Sequence, residues 1–112
     1  MSRVLLLSGL LTSLLLAGAA QAAEGDAAKG RLLAQEKCAR CHNIEKGAAF
    51  KLQPPSFQAI AIYRTRQDIW GRIISPSPHS GMPDMMWALT PDQVQDAVAY
   101  ITSLDTPVTL PQ

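Results

Sequence analysis

The stretch Cys38-Ala39-Arg40-Cys41-His42 decides how the rest of this chain is read. Cys-x-x-Cys-His is the attachment signature of c-type haem. Each residue type has a chemical task. The two thiols add across the two porphyrin vinyl groups to give thioethers. The two intervening residues let both sulfurs reach from one helical turn. The adjacent histidine is then held under the iron as its proximal ligand. The expected cofactor is one covalent haem c, tethered by Cys38 and Cys41 and ligated by His42.

The same residues carry other readings. Cys-x-x-Cys alone is also found in thioredoxin-like dithiols and in half zinc sites. A dithiol wants a strand-to-helix context, and none is visible nearby. A zinc site needs four ligands, for which Cys38, Cys41, His42 and His79 are available, but their spacing matches no common finger. A structural disulfide between cysteines within one short turn is disfavoured.

The first residues agree with haem attachment, which in bacteria takes place outside the cytoplasm. Arg3 precedes an apolar run over residues 4–16, and Ala20-Gln21-Ala22 forms an A-x-A cleavage site. This pattern predicts a secretory signal peptide over residues 1–22 and a domain over residues 23–112. The run is too short for a confident span. The residue after the cut is Ala23 rather than Cys, so a lipid anchor is not indicated. The mature form is expected to be periplasmic and not membrane-spanning.

About 90 residues remain, enough for one small domain with a modest core. Aromatics make up only 5% of the chain, and a porphyrin would take the space that several of them would fill. Past the leader, basic and acidic residues balance, but unevenly along the chain. The basic ones fall between Lys29 and Arg72, whereas Asp84, Asp92, Asp96 and Asp105 lie beyond. This predicts a charge dipole that matters for docking. No basic run points to nucleic acid, and there is no repeat or low-complexity segment.

The pattern reads as helices joined by loops, with no convincing strand. Asp26 caps a helix over residues 27–37 that leads into the cysteine motif, and Gly30 inside it costs about 1 kcal/mol relative to Ala. An interior glycine often means that something packs on the bare backbone. Residues 43–55 read as loop. A short helix is expected over residues 56–62. Thr65 caps another over residues 66–74, with Ile69, Trp70, Ile73 and Ile74 on one face. Pro76, Pro78 and Pro83 forbid helix beyond it. Thr90-Pro91-Asp92-Gln93 has the capping-box form with proline at the first helical position. Val94, Ala97, Val98, Ile101 and Leu104 then recur on one face, with Tyr100 flanking it.

The second axial ligand is expected to be Met82, in a proline-rich loop beyond the helices that would wall the pocket. A thioether is a soft ligand for haem iron, and a His/Met pair raises the reduction potential relative to a bis-histidine one. Met85 and Met86 compete, and any of the three could instead fill core space. His79 and an open sixth position complete the alternatives.

The chain as a whole resembles the class I c-type cytochromes, small monohaem electron carriers, over roughly residues 26–104. Gly30, eight residues before Cys38, stands where that family's first and last helices cross, and Tyr100 matches the aromatic that packs on it. Pro55 resembles the proline whose carbonyl accepts a hydrogen bond from the proximal histidine ring, which would orient His42 and raise its basicity. Met82-Pro83 matches the axial methionine segment. Ala34 stands where the family often has an aromatic, so a lightly packed crossing is expected.

The resemblance implies an all-α, single cytochrome c-like domain of three to five helices around one covalent haem. It implies an electron carrier with no catalytic residues of its own. Phe57, Ile60, Trp70, Ile73 and Tyr100 are the expected pocket or core walls. Periplasmic redox proteins are the expected partners: a dehydrogenase donor and an oxidase or reductase acceptor. The chain would be a monomer or one subunit of a heteromer. The alternatives are a haem c subunit of a periplasmic dehydrogenase and an open-site haem sensor or peroxidase.

Overall fold

The computed structural model describes residues 24–78 and 81–105. The expected leader and His79 lie outside them. The described residues form four helices: α1 (Ala27–Lys37), α2 (Phe57–Tyr63), α3 (Arg66–Ile74) and α4 (Pro91–Ser103). Among the described residues there is no strand, only an isolated bridge between Leu52 and Pro55. The all-α class and the helix number agree with the expectation.

Each helix begins where a side chain can satisfy its first unpaired N–H groups. The Asp26 carboxylate accepts from Ala28 N at 2.9 Å and from Lys29 N at 3.1 Å. Ser56, almost fully buried, caps α2 through Ala59 N. Thr65 and Asp68 form a capping box on α3, and Thr90 and Gln93 form one on α4, with Pro91 in its first turn. With prolines at 76, 78 and 83, the described residues between α3 and α4 are non-helical.

The molecule is organised by the crossing of α1 and α4. α4 turns Val94, Ala97, Val98, Tyr100 and Ile101 inward. Its larger aliphatic residues each contribute roughly 1.5–3 kcal/mol through burial. α1 brings little fully buried bulk, since its buried residues are Gly30 and Ala34, with Ala27 and Leu33 packed partly buried against the core. Its contribution is therefore closeness of approach. A Cβ built on Gly30 would collide with the Asp96 carbonyl and lie 2.8 Å from Tyr100 Cβ. Gly25, at φ 71°, makes a similar approach to the backbone at Gln95 and Asp96. One turn away, Asp26 N–H donates to Asp96 Oδ1 at 2.6 Å.

Two expectations need correction. Tyr100 does not flank the inner face of α4 but belongs to it, at 5% exposure. The crossing is not lightly packed either, because Ala34 is fully buried. A methyl group fills the available gap once the glycine has let the helices close. α2 and α3 complete the core with Phe57, Ala61, Ile69 and Ile73, and Ile60, Trp70 and Ile74 pack against it.

Candidate functional site

The cysteine motif follows directly from α1. Cys38 N and Ala39 N both donate to Ala34 O at 2.9 Å. Cys41 N and His42 N then turn back on Cys38 O at 3.1 and 3.0 Å. Both thiols and the imidazole therefore leave a single turn, as double thioether attachment requires. Neither cysteine is in a disulfide. Cys41 is exposed, while Cys38 is half-buried and its burial pushes the thiol pKa up.

His42 Nδ1 lies 2.7 Å from the Pro55 carbonyl oxygen. A carbonyl only accepts, so Nδ1 carries a proton, and in the neutral imidazole the lone pair is then on Nε2. The ring is thus fixed in the tautomer a metal ligand needs. It rests against Phe57 with centroids 5.5 Å apart. The backbone ties the same two segments together, since Phe57 N donates to Asn43 O at 2.9 Å. Lys51 Nζ donates to the Cys41 carbonyl at 3.2 Å, so a cation sits on the motif's own backbone.

The three methionines after α3 stand apart in burial. Met85 is a member of the core cluster, and Met86 is half exposed. Met82 is partly buried and packs against that cluster, as does Cys38. His42 and Pro55 are brought together, and the motif and the Met82 loop both adjoin one core.

One buried atom tests whether these residues fit a haem. Trp70 Nε1 is covered and has no acceptor among the described residues. Buried indole N–H groups normally have a partner, and an acidic group on a bound cofactor would supply one. Two thiols on one turn, a histidine with an open Nε2 and an indole N–H awaiting an acceptor fit haem c. Among the described residues, no group of three His, Cys, Asp or Glu side chains could hold a bare metal ion.

Some neighbours of the site carry no local sequence signal. Tyr100 Oη donates to Ile44 O at 2.9 Å, from 56 residues away. Arg31 holds Glu45 with two bonds of 3.1 Å, and Gln35 adds a third at 3.4 Å. The Arg31 guanidinium holds the Glu45 carboxyl below the usual carboxylate range. Burial, and then the Glu45 charge, raise the Tyr100 hydroxyl above its ordinary value. Among the described residues, no helix is long and apolar enough to cross a membrane.

Comparison with known proteins places this geometry in context. Residues 25–101 match the family model described as cytochrome C oxidase, cbb3-type, subunit III. Cytochrome c2 of Pararhodospirillum photometricum is 48% identical over 33 residues, which are 30% of this chain and 29% of that protein. The alignment thus spans less than a third of that relative. No solved structure gives a significant match.

Proposed function

Because the chain belongs to the c-type cytochrome family described as cbb3-type cytochrome c oxidase subunit III, we propose that it is a periplasmic electron carrier with one haem c. In this reading Cys38 and Cys41 tether the haem, and His42 and Met82 are its axial ligands. Residues 1–22 are a signal peptide cleaved near Ala22. The observation that carries the reading is the 2.7 Å contact of His42 Nδ1 with the Pro55 carbonyl, on the turn that holds both thiols.

Haem c bound there supplies one reversible electron at iron. The protein residues do the rest. The tether prevents loss of the group by dissociation. The Pro55 carbonyl would keep the proton at Nδ1 and leave Nε2, with raised basicity, to hold the iron. The Met82 thioether favours the reduced state. The Phe57 ring covers one side of the histidine ring. His42 and Met82, if retained in both oxidation states, would leave little to reorganise on electron transfer.

The test is the near-infrared sulfur-to-iron band of the oxidised holoprotein. The wild-type protein should show it. Met82→Ala should keep the covalent haem, lose the band and have a lower potential. A Met82→Ala protein with an unchanged band, together with loss of the band in Met85→Ala or Met86→Ala, overturns the assignment of Met82. A wild-type protein without the band favours the open-site sensor or peroxidase.

The printed description of the matching family, an oxidase subunit, favours a second reading. Here the chain is the haem c subunit of a larger periplasmic redox complex, such as a dehydrogenase. Gel filtration of the native protein separates the two, since a carrier elutes at the size of the single chain and a subunit with its partners.

A further inference from the structure

Residues 42–45 and 55–57 are cross-tied beside the iron-binding nitrogen. His42 Nδ1 donates to Pro55 O, and Phe57 N donates to Asn43 O. These two bonds fasten the segments to each other. A third bond fastens the pair to α4, because Tyr100 Oη donates to the buried Ile44 carbonyl at 2.9 Å. The Tyr100 ring also meets Phe57 at 6.2 Å between centroids, and Phe57 in turn meets His42 at 5.5 Å. Tyr100 therefore reaches the histidine along two routes, one through backbone and one through tilted ring contacts.

The hydroxyl exceeds what the helix crossing needs. At Gly30 the close neighbour is Tyr100 Cβ, which phenylalanine would supply equally well. The hydroxyl is instead occupied by Ile44, with Glu45 Oε2 at 3.4 Å as a weaker second acceptor. Glu45 is itself held by Arg31 and Gln35 of α1. Arg31 and Glu45 are about half exposed, so their ion pair adds little stability. What it provides is a fixed location for Glu45 beside the hydroxyl.

We propose that Tyr100 is a positioning residue for the axial histidine, its hydroxyl setting the strength of the bond from His42 Nδ1–H to Pro55. This rests on the reading of His42 as an iron ligand. Hydrogen-bond strength depends steeply on geometry. Release of Ile44 from α4 lets residues 42–45 shift, and the bond to Pro55 weakens. A weaker bond leaves Nε2 less basic and stabilises the oxidised iron less, so the potential rises.

The experiment compares the holoprotein with Tyr100→Phe and Thr102→Val. Thr102, on the same helix, accepts from Arg66 at 3.0 Å and ties α4 to α3. Two readouts are taken on each: the proton resonance of His42 Nδ1–H in the reduced state, and the midpoint potential. Tyr100→Phe should move the resonance upfield, as for a weaker hydrogen bond, and raise the potential. Thr102→Val should lower the melting temperature and leave both readouts at their wild-type values. Wild-type values in Tyr100→Phe, or equal shifts in Thr102→Val, overturn the proposal. Should Tyr100→Phe not accumulate, fluorotyrosine incorporated at position 100, whose hydroxyl is a stronger donor to Ile44, takes its place and should move both readouts in the opposite direction. Wild-type values there overturn the proposal equally. A His42→Ala protein with an unchanged haem spectrum would instead overturn the underlying ligation.

Discussion

Gly30 shows how much of this molecule turns on one missing side chain. A helix of eleven residues with only Gly30 and Ala34 buried has little apolar area to offer. It docks because its backbone can touch that of α4 at Asp96. A methyl group at position 30 would meet backbone, which cannot rotate away as a flexible side chain would. Gly30→Val should therefore cost about 1–3 kcal/mol, the usual range for overpacking, measured by denaturant unfolding of the holoprotein. A variant as stable as wild type would mean that the helices are held together elsewhere. Trp70 illustrates the opposite case, a group present in excess of what the protein alone can satisfy. Its covered Nε1 has no acceptor among the described residues, which makes sense when the fold includes a cofactor with acidic edges.

At the scale of elements, helix starts were legible because capping is local. Asp26, Thr65 and Thr90 stand where the sequence pattern puts them, and α1 and α3 have the expected bounds. Asp68 adds a pH dependence. The Thr65 side chain and backbone both donate to its carboxylate, holding it below the usual aspartate range. A carboxyl lowered on folding stabilises the folded state above the unfolded value, about 3.9, and this contribution is lost as pH falls below it. Melting temperature should thus fall more steeply below pH 4 in the wild type than in Asp68→Asn, and parallel acid limbs would count against the box. The cross-ties of the site were not legible. Tyr100 and Ile44 are 56 residues apart, Arg31 and Glu45 are 14 apart, and neither pair carries a periodic or motif signal. The role of Tyr100 in the crossing was implied by resemblance alone. Helical periodicity places it flanking the apolar stripe, whereas the structure buries it. Within the loop over residues 43–55, the return of Pro55 to His42 is implied by the family resemblance, whereas the placement of Lys51 on the Cys41 carbonyl has no sequence signal. Such placement depends on the whole loop closing on α2, which no window of sequence encodes.

At the scale of the whole molecule, charge and cofactor decide behaviour. No Lys or Arg follows Arg72, and Lys37, Arg40 and Lys46 flank the cysteine motif. Lys37 is paired with Glu36 at 2.7 Å. Arg40 and Lys46 are exposed, with no ion pair among the described residues. Docking to an acidic patch on a redox partner would thus be steered mainly by Arg40 and Lys46. Stopped-flow electron transfer with the native partner should slow as salt is added, and slow further in Lys46→Glu than in Lys37→Glu. A rate indifferent to salt points to apolar docking, and one that rises with salt reverses the sign. Every one of these expectations depends on haem being joined to the chain at Cys38 and Cys41. The intact mass of the denatured mature protein reads that bond directly. The expected result is the mass of the chain plus one haem, with no thiol open to alkylation. The mass of the bare chain, with both thiols alkylated and the haem extracted into acid-acetone, would contradict it.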